Sequence, residues 1–249
     1  MIRVFIGFDP LEETAALVCE RSLRDHASQP VMVEFLDQER LRLAGLYQRP
    51  FHAQEAQRYD SFDGRPFSTD FSFARFLVPA LCQYRGDALY CDSDMLWRED
   101  IARLWNLRRW DLSASAKNLI SFRNDVVQVV KHDYRPKEGT KMRGGLVQQA
   151  YERKNWSSLM LFNNEQCRHL TPALVNAAPG RYLHGFQWLD DSQIGALPAG
   201  WNHLEGHDTN DDPFVVHFTS GTPDVPGYED SRFAKEWWAV YGAMSEAVV

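Results

Sequence analysis

DALYCDSDMLWRED, residues 87–100, sets the frame for the rest of the chain. Residues 88–91 are apolar and predict a short buried strand. Asp92, Ser93 and Asp94 follow at once, and Met95, Leu96 and Trp97 return to apolar character. Two carboxylates two residues apart in extended backbone project to the same side. Placed where a strand leaves the core, they make a compact anionic claw. Oxygen ligands at that spacing suit a divalent cation such as Mg or Mn, with coordination positions left for phosphate oxygens. The other reading is a polar turn between two apolar runs, because Asp and Ser both favour turns.

Upstream, residues 2–8 (IRVFIGF) form a near-continuous apolar run, which suits a strand buried on both faces. Asp9-Pro10 ends it. Residues 11–26 carry Leu11, Ala15, Val18, Cys19 and Leu23 at helical spacing. Residues 31–36 predict a second strand. Strand, helix and strand in this order open a βαβ unit and imply a parallel sheet, whose ligands sit beyond the carboxyl ends of the strands. Asp9 falls at that edge. No glycine-rich phosphate loop follows the first strand, which excludes a dinucleotide fingerprint and a P-loop. Residues 38–66 read as short helical pieces and loop. Ser68-Thr69 are expected to cap a helix running to about Tyr84, with Phe73, Phe76, Leu77 and Leu81 on its buried face. Arg75 on that helix is either a surface residue with a packed stem, a partner of Asp92 or Asp94, or a phosphate ligand.

Downstream, residues 100–105 predict a turn of helix, and residues 112–116 (LSASA) a strand ending at Lys117. Residues 122–145 carry five Lys or Arg between Lys131 and Arg143, against Asp133 and Glu138. They read as a solvated loop, with a cationic lid as the alternative. Residues 156–162 (WSSLMLF) predict a strand and residues 167–178 a helix. Asp190 and Asp191 precede a short apolar segment, where paired acids ordinarily cap a helix. Residues 214–218 (FVVHF) predict a late strand, in which a lone His217 reads as a core residue. Residues 233–244 form an aromatic-rich helix whose Lys235 and Glu236 favour core packing; a peripheral membrane contact stays open.

The chain has 249 residues with no internal repeat or low-complexity linker, and is expected to form a single domain over 1–249. A net charge of -7 argues against general nucleic-acid affinity. Cys19, Cys82, Cys91 and Cys167 show neither C-x-x-C nor zinc spacing and read as reduced core residues. Residues 1–10 have too short an apolar run for a signal peptide, and no stretch reaches the ~18 apolar residues of a membrane helix. A cytoplasmic protein is expected.

Several segments, in order, resemble glycosyltransferase family 8, the glycogenin and bacterial lipopolysaccharide galactosyltransferase group. They are IGFD at 6–9, the helix from Thr69 to Pro79, LYCDSDMLW as the D-x-D strand, NWSSLMLFNN from Asn155, LDDSQIG, Trp201-Asn202, and HFTSG from His217. The resemblance implies a GT-A-type α/β fold, a mixed, mostly parallel sheet flanked by helices. It implies metal-dependent, retaining transfer of a hexose from a UDP-sugar to an acceptor hydroxyl of a saccharide or lipopolysaccharide precursor. By carry-over, Asp92, Asp94 and His217 would hold Mn or Mg, which changes the reading of His217 from core residue to ligand. Asp9 would lie at the uracil or ribose, and Arg75 at the donor phosphates or sugar. Asn155 and Asp191 would touch the sugar, Ser93 would line the donor site within the D-x-D motif, and Gln193 would sit near the reacting carbon. Asp190 and Asp191 are interchangeable in this register.

Two departures stand out. The family's phosphate-contacting lysine after the late His is absent, since the chain reads Thr222-Pro223-Asp224. Lys117, Lys141 and Lys235 are the candidate substitutes. Ser158 stands where the family has Gly, which implies a tighter sugar pocket or a different sugar. The rival readings are a non-catalytic nucleotide-sugar-binding relative and a sugar-nucleotide pyrophosphorylase. The latter would be expected to carry the missing glycine-rich loop.

Overall fold

The apolar run after Met1 forms strand β1, Ile2–Phe8, and is followed by helix α1, Glu13–Asp25, and strand β2, Val31–Asp37. β1 and β2 pair in parallel, Ile2 opposite Val31, as the βαβ pattern requires. The computed structural model describes residues 1–55, 57–108, 125–133, 139–141, 146–148 and 152–246. The expected strand at 112–116 and Lys117 lie outside the described residues.

Residues 38–67 depart from the expected loop. After helix α2, Gln38–Leu43, the chain forms β3 Phe51–Gln54, β4 Gln57–Asp60 and β5 Pro66–Phe67, a small antiparallel sheet. β3 is exposed along its length, so burial imposes no alternating pattern on it. The expected helix from 68 to 84 is broken into α3 Phe71–Ala74, a 3-10 turn Arg75–Leu77 and α4 Val78–Leu81. Pro79 explains the break, because it donates no hydrogen bond and its ring crowds the carbonyl of Arg75.

β6 Asp87–Cys91 lies beside β1 in parallel, and β7 Met95–Trp97 follows. Next come helix α5, Ile101–Trp105, capped by Asp100, and β8, Val127–Val129. β8 corrects the reading of 122–145 as loop. Its three residues are fully buried between two other strands, a run too short to show periodicity. β9 Gly139–Lys141 pairs antiparallel with β10 Leu146–Gln148. Residues 156–158 form a 3-10 turn rather than strand, and β11 is Leu159–Asn163. Helix α6, Pro172–Ala177, is shorter than expected, because Pro172 sets its start. α7 Gly180–His184, β12 Ile194–Ala196, β13 His203–Leu204, β14 Val215–His217 and α8 Ala234–Glu246 complete the order.

The main sheet runs β12-β8-β11-β6-β1-β2. β11 pairs antiparallel with both neighbours while the other pairings are parallel. The strand period of two splits its side chains between two cores. Ile2, Val4, Ile6, Leu89 and Cys91 pack with Cys19 and Leu23 of α1 on one face. Phe5, Ala88 and Tyr90 pack with Phe71, Phe76 and Leu77 on the other. All four cysteines are buried thiols, as expected. Trp237 of α8 is 1% exposed and joins a third cluster with Val18 and Phe218, so the helix packs as core. Among the described residues, no helix is long and apolar enough to cross a membrane.

Candidate functional site

The chain changes sheets at Asp92-Ser93-Asp94. β6 belongs to the main sheet, whereas β7 joins the second sheet β13-β14-β7. The D-x-D residues are therefore a turn between two strands, not the extended run that their spacing suggested. The turn nevertheless gathers both carboxylates. β14 pairs antiparallel with β7, His217 opposite Met95, and this register sets the imidazole beside Asp94. His217 Nε2 lies 3.3 Å from Asp94 Oδ1. One ligand atom from each of Asp92, Asp94 and His217 lies within 4.8 Å of the others.

Arg75 reaches the same turn, with Nη1 2.9 Å from Asp92 Oδ1 and 2.9 Å from the Ser157 carbonyl. It is 6% exposed, so the partner reading holds and the surface reading does not. Tyr90 donates its hydroxyl to Asp92 Oδ1 at 2.6 Å. Burial pushes the Asp92 carboxyl above its ordinary range, and the Arg75 guanidinium opposes that rise.

These residues open into a pocket with Asn155, Ser157, Ser158 and His184 in its wall. Among the described residues, Arg65, Arg75, Lys154 and Arg181 bring four cationic side chains to it, against the carboxylates Asp63, Asp92 and Asp94. His184 packs against Phe73 and Phe76, and its Nδ1 lies 2.9 Å from Ser157 Oγ. Burial, reinforced by Arg75, Lys154 and Arg49, holds its pKa well below the ordinary value. A neutral imidazole therefore lines the pocket at neutral pH.

The other expected site residues are distributed as follows. Asn155 lines the pocket at φ 64°, a left-handed conformation that Asn tolerates. Among the described residues, its Nδ2 is buried without a hydrogen-bond partner. Asp9 sits at the end of β1 and is 2% exposed; it accepts from Leu11 N at 2.9 Å, Asp70 N at 3.0 Å and Arg58 Nη2 at 3.1 Å. Ser93 donates to Glu12 Oε2 at 2.8 Å. Asp190 caps the 3-10 turn Asp191–Gln193, and Gln193 Oε1 accepts from Asp190 N at 2.9 Å, the capping arrangement expected of paired acids. Asp191 is exposed and pairs with Arg153. Asp9, Ser93, Asp190, Asp191 and Gln193 are not among the pocket-lining residues.

Lys235 lies on exposed α8 surface, away from the pocket wall, whereas Lys154 is in that wall and only 9% exposed. Lys154 and His184 carry no motif of their own, and Asn202 stands in the Trp201-Asn202 segment without an expected role. Only adjacency marked the first, next to Asn155. Asn202 is fully buried, with Oδ1 2.9 Å from His217 Nδ1.

Two carboxylates and an imidazole form a donor set that fits Mn or Mg. Ligands about 2.1 Å from one octahedral ion lie about 3 Å apart when adjacent, close to the spacing between His217 and Asp94. Asp92, Asp94 and His217 are thus the residues that would hold such an ion.

No protein-family model matches the chain. Protein CDI of Arabidopsis thaliana is 40% identical over 246 residues, covering 94% of this chain and 84% of that protein. Among solved structures, the glycosyltransferase GlyE of Streptococcus pneumoniae TIGR4 has a TM-score of 0.54 at 15% identity, covering 96% of this chain and 60% of that one. The chain thus spans about three fifths of GlyE. The galactosyltransferase LgtC, solved with donor and acceptor sugar analogues, has a TM-score of 0.54 at 12% identity, covering 97% of this chain and 96% of that one. Likeness at these identities shows the fold. The architecture is the GT-A glycosyltransferase type, and the resemblance to glycosyltransferase family 8 is borne out at that level.

Proposed function

The chain belongs to the family of Protein CDI and is built on the glycosyltransferase fold, and on that premise we propose that it is a metal-dependent, retaining glycosyltransferase. It moves a hexose from a UDP-sugar to a hydroxyl of a saccharide or lipopolysaccharide-type acceptor. The observation that carries this reading is the convergence of Asp92, Asp94 and His217 in a pocket that Arg65, Arg75, Lys154 and Arg181 also line.

A departing nucleoside diphosphate gains negative charge as the sugar bond breaks, and fixed positive charge at that position lowers the barrier. A divalent cation, when bound, supplies Lewis-acid neutralisation of that charge. Arg75 is held by Asp92 and the Ser157 carbonyl, so its guanidinium needs little reorganisation to face a phosphate. Lys154 is the cation we assign to the diphosphate in place of the lysine missing after His217. Asn155 Nδ2 offers a donor for a sugar or phosphate oxygen. Attack of the acceptor hydroxyl from the face of the departing phosphate, with that phosphate taking the proton, gives retention without an enzymatic nucleophile.

Thermal unfolding of the full chain with UDP, GDP, CMP or ADP, with and without Mn2+, tests this. A ligand at a hundredfold excess over Kd that binds only the folded state adds about 2.7 kcal/mol. The expected result is a UDP shift that requires Mn2+ and disappears in Asp92→Ala and Asp94→Ala. No shift with any nucleotide overturns the reading. A UDP shift without turnover of any UDP-sugar, over a panel of saccharide acceptors, makes the protein a non-catalytic binder.

A further inference from the structure

We propose that Asn202, oriented by Ser158, is the positioning residue that presents the bare Nε2 of His217 to the cation site. The proposal rests on the metal reading above and concerns residues outside the ligand trio.

The direction of each hydrogen bond in the chain Asn155–Ser158–Asn202–His217 follows from what each group can do. The Asn155 carbonyl can only accept, and Ser158 Oγ donates to it at 2.7 Å. With its proton used there, Ser158 Oγ turns lone pairs toward Asn202, so the amide nitrogen must face it. Nδ2 donates to Ser158 Oγ at 2.8 Å and to the Asn155 carbonyl at 3.4 Å. Turning the amide over would set Oδ1 against both of those acceptors. Oδ1 therefore faces His217 Nδ1 at 2.9 Å and accepts its proton. In the neutral imidazole that this bond selects, the lone pair is on Nε2, which lies 3.3 Å from Asp94 Oδ1. A nitrogen and a carboxylate oxygen at that distance share either a proton or a cation, and the bare Nε2 is the form that takes the cation.

Burial keeps the relay intact. Asn202 is 0%, Ser158 2% and His217 2% exposed, so water does not compete for these bonds. Ser158 thus does more than narrow the pocket, because its hydroxyl selects the amide orientation. Outer partners of this kind are worth about 10- to 100-fold in metal affinity.

The test is Mn2+ affinity of the full chain, read by isothermal titration and by electron spin resonance of free Mn2+, with folding checked by circular dichroism. Asn202→Leu fills the same space without hydrogen bonds and is expected to weaken Mn2+ by about 10- to 100-fold. Asn202→Asp keeps an acceptor for His217 Nδ1, with the Ser158 hydroxyl turning from the Asn155 carbonyl to donate to the second carboxylate oxygen, and is expected to lose less affinity than Asn202→Leu. Ser158→Ala releases the amide and is expected to lose affinity in the same direction as Asn202→Leu; it decides the matter should Asn202→Leu not fold. Imidazole 15N spectra of the Mg2+-loaded chain give a second readout, with the His217 proton expected on Nδ1 in wild type and Asn202→Asp. Wild-type binding that His217→Ala matches, or no wild-type binding at all, overturns the metal reading and this inference with it. Wild-type binding that depends on His217 but is matched by Asn202→Leu and Ser158→Ala overturns this inference alone.

Discussion

Arg75 Nη1 lies 2.9 Å from Asp92 Oδ1, with side chains 7% and 14% exposed. The pair brings a pocket cation and a metal-ligand candidate together from two parts of the chain. Removing one partner of a buried pair leaves an uncompensated charge. Arg75→Met should therefore lower the stability of the metal-free chain by about 3 kcal/mol. Saturating Mn2+ should recover part of that loss and raise the melting temperature of the variant more than that of wild type. Calorimetry in chelator and in Mn2+ checks both expectations.

Asn155 separates a backbone requirement from a ligand contact. Asn155→Gly accepts the left-handed φ of 64° freely, while Asn155→Ala adds strain of about 1 kcal/mol. Both variants remove the buried Nδ2 donor. Donor KM should rise about tenfold in both, the worth of one hydrogen bond. Only Asn155→Ala should lose stability. Steady-state kinetics beside urea unfolding separate the two effects.

Arg49 and Asp60 form a buried fork, Nη2 to Oδ2 at 2.6 Å and Nε to Oδ1 at 2.9 Å, with both side chains 1% exposed. The guanidinium also lies 4.1 Å from the centre of the Phe73 ring. Asp60→Asn strands the Arg49 charge and should cost about 3 kcal/mol. The double variant Arg49→Met/Asp60→Leu should recover most of that loss, because two apolar groups need no partner. Urea unfolding of the single and double variants measures the difference.

Acid should weaken the fold through two half-buried histidines. Burial, with His217 nearby, lowers His132 to about 4, and His184 is lowered well below its ordinary value. Both are neutral in the folded chain, whereas the unfolded chain takes up protons below about pH 6.5. Their contribution is thus complete above pH 6.5 and is lost as pH falls from there toward the folded values. Each accounts for up to about 1.4 kcal/mol per pH unit in that window. Melting temperature should drop between pH 6.5 and 5, and His132→Phe should reduce the slope.

Much of this architecture is legible in the residues. The apolar runs at Ile2–Phe8, Val31–Asp37 and Asp87–Cys91 are long enough to declare strands, and α1 shows its helical spacing. Val127–Val129 does not, because three buried residues beside a cationic segment carry no period. Phe51–Gln54 does not either, because an exposed strand paired locally owes its form to backbone hydrogen bonds rather than to burial.

By itself, the amino-acid order determined the parallel βαβ opening, the anionic Asp92-Ser93-Asp94 stretch and the late strand with His217, since each is a local pattern of burial or charge. Tertiary structure alone decided that the stretch is a turn between two sheets, and that the β14–β7 register delivers His217 to Asp94. It also brought Lys154 and His184 to the pocket and set Asn202 against both Ser158 and His217. Those relationships join residues 15 to 44 positions apart, as in His217–Asn202 and Asn202–Ser158, and longer. Sheet pairing and core packing set such distances, which local periodicity does not encode.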